Sequence, residues 1–358
     1  MNGNTRHCVH VFSTFGAGGP QIRAVQLMQH LGPGFRHVVM AMDGRTEARE
    51  QLPPGIDCTF AAPPHKGGFL ATRRAQRRWL CTQSPHLVLT YNWGAIETAA
   101  AARSLRLPLV HHEDGFLPDE VARRLRRRSW LRRFVLRGVP VVVPSLVLQR
   151  IATAEWRLPA GDVHHFPNGV DLARFHPAPP ARDFVVGAVG GLRPEKDHDN
   201  LLRALARLPA DVRATIVGDG ALAGSLRALA RQLGIDGRVE FVGPVTDTAP
   251  WYAKFTVFAL SSRTEQMPLA MLEAMASGLP VVATDVGDVR AMLPADAADL
   301  VVPPADPMAL AAALQRVLAD PGRRGLLGAE NRRVVAQRYE AGQCLQRFAA
   351  LYAATARA

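Results

Sequence analysis

At 358 residues the chain has room for two domains of ordinary size, each able to bury a core of its own, which excludes miniproteins and disulfide scaffolds. Hydrophobic residues make up 48%, charged residues 21%, and mean hydropathy is near zero, so disordered and fibrous classes are excluded as well. The formal net charge is +12, and of 43 basic residues only Lys66, Lys196 and Lys254 are lysines, so nearly all the positive charge is arginine.

The polar start MNGNTRH leads into an apolar run at 8–12 with no h-region or small-residue cleavage site, which reads as a first strand and not a signal peptide. Further runs of strand length follow at 37–42, 86–91, 107–112 and 139–143, each trailed by a helical pattern, and this alternation predicts a parallel sheet. A Pro-rich stretch at 167–183 has the composition of a domain linker. A second series of strands is predicted at 184–190, 213–218, 238–243, 255–260, 279–284 and 299–302, apolar on both faces as in a sheet covered by helices on both sides. Helices are predicted at 306–319 and 321–338, and a closing amphipathic helix at 340–356. The resulting expectation is an α/β chain of two doubly wound domains, 1–170 and 171–340, with ligands bound at the carboxyl ends of the strands. Residues 341–358 are expected to close back on the first domain. No apolar run approaches the ~20 residues of a bilayer span. The scattered Cys8, Cys58, Cys81 and Cys344 suggest reduced thiols, so a cytosolic protein is expected.

Residues 123–137 hold eight arginines and no acid, interleaved with apolar side chains. A basic amphipathic helix fits this pattern. It reads as a solvated basic face, as a surface for anionic membrane through Arg126, Arg127, Trp130, Arg132 and Arg133, or, with least weight, as a nucleic-acid site.

The most informative stretch is Ser261 to Gly287. A strand ends at Leu260, Pro268 stands where a helix can start, and Gly278 and Pro280 stop that helix. Amide groups at the start of the helix suit a phosphate or sugar oxygens. Glu265 in the loop could accept bonds from ligand hydroxyls, and Glu273 two turns in could bind a diol such as ribose.

Glu265 and Glu273 eight positions apart, with Pro268, the run Glu273-Ala274-Met275-Ala276, Gly278, Pro280 to Thr284 and Gly287, resemble the donor-site signature of glycosyltransferase family 4, retaining enzymes of GT-B architecture. Phe166-Pro167-Asn168-Gly169-Val170-Asp171 with Phe175 resembles the family's interdomain crossover, Gly190 to His198 its diphosphate loop, and Gly218-Asp219-Gly220 the turn after the next strand. The resemblance implies two Rossmann-like domains facing each other across a cleft, the first on the acceptor side and the second holding a nucleotide-diphosphate sugar.

A strand ending in Val189, a turn at Gly190 and Gly191, and cations at Arg193 and Lys196 ahead of a helix would neutralise a pyrophosphate leaving group. Family members carry an arginine directly after the first glycine; here Gly191 stands there, and the role passes to Arg193. Donor contacts are expected at Gly18, Gly19, Gly190, Arg193, Lys196, Val242, Gly243, Glu265, Gln266, Met267, Pro268, Leu269 and Glu273, with the base held by backbone in the loop at 242–246. The Gly16-Ala17-Gly18-Gly19 loop is a structural turn or a ligand loop, with Gln21 and Arg23 as acceptor or phosphate contacts. At the end of the fourth predicted strand, His111, His112 and Asp114 are candidates to face the anomeric centre; His111 is favoured as a core histidine, and Asp114 stands where family members carry a histidine. Glu113, Asn92 and Trp93 are candidate acceptor contacts, Trp93 equally a packing residue. Catalytic roles are thus expected of Asp114, His112, Arg193, Lys196 and Glu265.

The implied reaction moves a sugar, from a UDP-sugar by family frequency, to an acceptor hydroxyl of a lipid-linked or polysaccharide glycan, as in cell-surface polysaccharide or lipopolysaccharide synthesis. Asp197-His198-Asp199 has the letters of a metal motif, but Asp199 and Asn200 read as helix caps, so neither metal nor cofactor is expected. No nucleic-acid partner is expected. The competing readings are a sugar-nucleotide epimerase of the same architecture and a polyanion-binding protein using the 123–137 arginines.

Overall fold

The computed structural model describes residues 5–16, 18–65, 67–116, 120, 125–179 and 184–356. The chain divides into two compact units, Met1–Pro167 with Cys344–Ala358, and Asn168–Gln343.

The first unit is built on seven parallel strands in the order β3-β2-β1-β4-β5-β6-β7: β1 Arg6–Phe12, β2 Phe35–Ala41, β3 Cys58–Ala61, β4 Leu87–Tyr91, β5 Leu109–His112, β6 Val141–Val143 and β7 Val163–His165. Five match the predicted apolar runs. The two that escape prediction, β3 and β7, are the edges of the sheet, four and three residues long and partly open to solvent, so no apolar run marks them. Both faces are covered. Val9, Val11, Val88 and Val141 pack on one side, and Cys8, Phe12, Tyr91 and Val142 on the other. The helix Ala341–Thr355 sets Phe348 and Tyr352, four positions apart, onto that second face.

The second unit has six parallel strands in the order β10-β9-β8-β11-β12-β13: β8 Val185–Val189, β9 Arg213–Val217, β10 Val239–Gly243, β11 Val257–Leu260, β12 Val281–Thr284 and β13 Val301–Val302. All six fall within the predicted runs. The Pro-rich stretch is not a free linker over its described part. Val170 pairs with Glu340, Asp171 accepts from the amides of Ala173 and Arg174, and Phe175 is 5% exposed within the core of this unit. Residues 180–183 of that prediction lie outside the described residues. Asp199 and Asn200 do not cap a helix: they lie inside the first turn of His198–Leu205, whose N-cap is Asp197, and Asp199 pairs with Arg203 one turn on.

The basic segment forms the helix Arg126–Leu136; Arg123 and Arg124 lie outside the described residues. Its arginines do not share one face. Arg132 is 0% exposed, so the expectation that it meets a membrane is corrected. Its guanidinium is paired with Glu113 at 2.9 Å and Glu120 at 3.2 Å and lies over the rings of Trp93 and Trp156 at 4.9 and 4.8 Å. A buried cation persists only with such partners. Burial pushes the Glu113 carboxyl up, but Arg132 and His111 outweigh it and hold it below the usual carboxylate range.

A chain of neutral aromatic polar groups crosses the first unit. His10 shares hydrogen bonds with His37 and the Tyr91 hydroxyl at 3.0 and 3.1 Å, Tyr91 stacks on His112, and His112 Nε2 is 2.8 Å from the Tyr352 hydroxyl. Burial holds His10 and His112 well below 6.5 and His37 at about 4. These bases are neutral in the fold and take up protons when it opens, so their contribution is complete above about 6.5 and is lost as pH falls below it. Acid unfolding of this unit is expected to begin near pH 6, each histidine steepening the slope by about 1.4 kcal/mol per pH unit, read from denaturant midpoints between pH 4 and 8. Arg132→Met, which leaves buried Glu113 without its arginine and Glu120 with Arg128 alone, is expected to cost about 3–5 kcal/mol in the same measurement.

Candidate functional site

In the second unit the strand order reverses between β8 and β11, so the loops after these two neighbours leave the sheet in opposite directions and open a crevice at their carboxyl ends. The loop after β8 begins with Gly190 at φ 155°, and a Cβ on Gly218 would collide with the Gly190 carbonyl, so the two turns approach as only glycine permits. A 3-10 turn over Pro194–Lys196 and a left-handed Asp197 then lead into the helix His198–Leu205. Both predicted cations flank the diglycine. A Cβ on Gly191 would lie 3.0 Å from Arg193 Nε, so the Arg193 side chain occupies the space beside Gly191, and a Cβ on Gly190 would lie 3.7 Å from Lys196 Cε.

The loop after β11 is sewn to this turn. Lys196 Nζ is 2.6 Å from Glu265 Oε1, which also accepts from the Ser262 hydroxyl at 2.8 Å. Arg263 pairs with Asp197 at 2.8 Å, its amide donates to the Glu195 carbonyl, and the Ser261 hydroxyl donates to the Lys196 carbonyl. From below, the Glu265 carbonyl rests against Gly287, where a Cβ would strike it, the Asp288 amide donates to Gln266, and Asn168 Nδ2 donates to the Met267 carbonyl at 2.8 Å. The helix Leu269–Ala276 starts at Pro268 with no side-chain cap, leaving the amides of its first turn, from Leu269 on, as donors.

Glu273, one turn farther along, accepts from the Tyr252 hydroxyl at 2.8 Å and from Thr248 at 3.4 Å, both on Oε2. Burial raises its carboxyl from 4.5 to about 7, with those two donors and Arg174 pulling the other way. Val242 and Gly243 end β10 beside the Gly218 turn, whose amide donates to the Gly243 carbonyl at 2.9 Å. The side chains of Met267 and Pro268 are buried, so this segment presents its backbone.

In the first unit the order reverses between β1 and β4. The loop after β1 runs to Gly18, N-cap of the helix Gly19–Leu31, with Ala17 outside the described residues. Gln21 donates to the Thr14 carbonyl at 2.9 Å, and Arg23 pairs with Asp114 at 2.7 Å, side chains 5% and 6% exposed. The Asp114 amide donates to Asn92 Oδ1 at 2.7 Å, while Asp114 Oδ2 has no partner among the described residues.

Thus Arg23, Asn92 and Asp114 converge, Gln21 is held by the loop after β1, and the other candidates do not join them. His112 is fully buried between Tyr91 and Tyr352, Glu113 is fully buried on Arg132, and Trp93 packs beneath the guanidiniums of Arg128 and Arg132. The expectations of catalysis by His112 and of acceptor contact by Glu113 are corrected, because neither side chain reaches solvent. Arg126, Arg127 and Trp130 face outward, and Arg133 is half-buried. Residues that sequence reasoning passed over are Ser262, Arg263, Thr248 and Tyr252. The serine doublet at the end of β11 was the one local signal; the rest act through partners distant in sequence.

The family model "Glycosyltransferase Family 4" matches residues 17–174 and the model "Glycosyl transferases group 1" matches residues 183–320. The chain is 30% identical to the GDP-mannose-dependent alpha-(1-6)-phosphatidylinositol monomannoside mannosyltransferase of Mycolicibacterium smegmatis over 71% of this chain and 70% of that one. It is 35% identical to the lipopolysaccharide core biosynthesis mannosyltransferase LpcC of Rhizobium leguminosarum over 43% of this chain and 49% of the relative. With several relatives the match spans about two-fifths to a half of their length. The crystal structure of Anabaena Alr3699/HepE in complex with UDP-glucose superposes with a TM-score of 0.84 at 20% identity, covering 97% of this chain and 99% of that one, and so shares its fold. With both halves matched and a relative aligned over more than two thirds of each chain, the protein belongs to glycosyltransferase family 4, the glycosyl transferases group 1, and is built from two Rossmann-like domains.

Proposed function

We propose that the protein is a retaining glycosyltransferase that moves a sugar from a nucleotide-diphosphate donor to the hydroxyl of a lipid-linked or polysaccharide glycan, working from the cytosol against the inner face of the membrane. The observation that carries this reading is the pairing of Lys196 with Glu265 beside uncapped helix amides at the switch point of the second sheet. Cations and amide dipoles fixed there suit the charge that develops on a departing diphosphate.

Arg193 is the cation most readily recruited. Its pair with Glu195, 3.1 Å apart, leaves the arginine side chain 57% exposed, and such pairs hold little free energy, so a diphosphate can draw the guanidinium over at small cost. Lys196 is held closer and more buried, its direction set by Glu265. Glu265 Oε2 is assigned to a sugar hydroxyl, and Glu273 to the ribose diol. In the first unit Asp114, oriented by Arg23 and Asn92, offers its unpartnered oxygen to a substrate hydroxyl. The leaving diphosphate then takes the acceptor proton on the face from which the acceptor attacks, so retention needs no covalent enzyme intermediate. A UDP-sugar is the first donor to test, supported by the complex of the Anabaena protein with UDP-glucose, and GDP-mannose the second, from the name of the mycobacterial enzyme. The names of the lipopolysaccharide and phosphatidylinositol mannoside enzymes support a glycan or lipid acceptor.

In a thermal-shift panel of UDP, GDP, ADP and dTDP, one diphosphate at about 100 times its Kd is expected to stabilise the protein by about 2.7 kcal/mol, and Lys196→Ala to abolish the shift. No shift with any of the four would sink the donor assignment. Turnover is expected to survive EDTA, and its full loss would require a metal. Because Glu273 binds its proton more tightly folded than unfolded, its own contribution to stability falls as pH rises from about 4.5 to 7. Glu273→Gln should therefore raise Tm relative to wild type at pH 8 but not at pH 4.5, while weakening donor binding at least tenfold; equal Tm differences at both pH values would refute the buried-carboxyl account.

A further inference from the structure

Three large apolar side chains stand out on the surface of the first unit: Leu70 is 61% exposed, Trp130 71% and Phe134 72%. Leu70 comes from the helix Phe69–Gln83, and the other two, one turn apart, from Arg126–Leu136. Depressions lie on either side of Trp130, and they differ in chemistry. One, of about 910 Å³, runs between the two helices and is walled by Leu70, Trp130, Leu131 and Phe134, with Arg73, Arg103 and Arg137 along it and Arg133 shared with the other. The other, of about 330 Å³, is lined by Arg126, Arg133 and Arg157, with Glu155 the sole acid among its lining residues. Arg73 Nε is buried with no partner among the described residues. Arg103 donates to the carbonyls of Phe134 and Val135, which fixes the end of the helix that carries the aromatic tips.

An apolar trough and a guanidinium pocket divided by one tryptophan match an amphiphile with a hydrocarbon chain and a phosphate head. Nucleic acid would use the arginines and stack on the aromatics, but it offers nothing to Leu70 and Leu131 in the trough. The geometry points to this face as the seat of an anionic phospholipid bilayer: Leu70, Trp130 and Phe134 enter the acyl region, the trough takes part of one chain, and Arg126, Arg133 and Arg157 hold a headgroup phosphate. It rests on the reading of a lipid-linked acceptor and deepens it by naming where the surface is met. Arg132, buried on its glutamates, has no part in it.

Flotation with phosphatidylcholine vesicles, with and without about one third phosphatidylglycerol, tests the seat. The protein is expected to float with the anionic vesicles alone and its tryptophan emission to shift to the blue. Trp130→Ser with Phe134→Ser should weaken binding at least tenfold, and Arg126→Gln with Arg157→Gln about fivefold per arginine, with Tm and the diphosphate shift unchanged because all four side chains lie on the surface. Binding that survives the loss of both aromatics, or is matched by heparin and indifferent to them, would overturn the seat and leave a polyanion patch. A phosphate requirement met by glycerol 3-phosphate, which then blocks flotation without the aromatics mattering, would overturn it in favour of a soluble ligand. If flotation follows the expected pattern while no nucleotide diphosphate shifts Tm, the seat stands and the transferase reading falls.

Discussion

The second unit is organised by the ion pair between Lys196 and Glu265 at the point where its sheet changes direction. Two loops from neighbouring strands can meet there only if the backbones beneath them come unusually close. Gly218 lies against the Gly190 carbonyl, and Gly287 against that of Glu265. The glycines are thus the steric condition for the ion pair, and Ser262, Arg263 and Asn168 hold the loops once they are close. A side chain at either glycine would separate cation from carboxylate before it touched any ligand.

The arginine-rich composition acquires a structural meaning at this level. Many guanidiniums staple carbonyl groups that helices and turns leave open. Arg238 donates to Leu205, Pro209 and Val212, Arg324 to Val317 and Leu318, Arg332 to Leu172, Phe175 and Ala276, and Arg103 to Phe134 and Val135. A fork of five fixed donors serves several acceptors at once, and its charge suits the negative end of a helix. Lysine, a point charge on a flexible stem, would do this poorly. The net charge of the chain therefore overstates how much of it faces a partner.

The apolar runs made the parallel sheets legible, because strands buried on both faces leave an unbroken hydrophobic trace. The edges β3 and β7 left none. The helix Arg126–Leu136 shows a second limit: its five similar arginines give no hint of which turns inward. The answer lies in Glu113 and Glu120, whose carboxylates demand Arg132, and in helical phase, which sends Trp130 and Phe134 outward as Arg132, Val135 and Leu136 go in. Hydrophobicity alone would have placed the aromatics inside. Likewise His111 and His112, on opposite faces of β5, are both buried because both faces are covered. The glutamate spacing of the donor loop was legible, but its supports at Thr248 and Tyr252 were not, since nothing local ties them to Glu273.

The two units handle charge differently, and the difference fits the proposed reaction. Around the loop after β8, Arg193 with Glu195 and Arg263 with Asp197 put arginine side chains 57% and 60% exposed into contact with acids, pairs that water already screens. A ligand carrying two phosphates can exchange such partners with little loss. The pair of Arg23 and Asp114 is 5% and 6% exposed and is further held by Asn92 and by Phe348 beneath the guanidinium. A diphosphate that must bind, discharge its sugar and leave is best met by cations that can change partners. A group that must orient a hydroxyl at the moment of attack is best met by a carboxylate that cannot move.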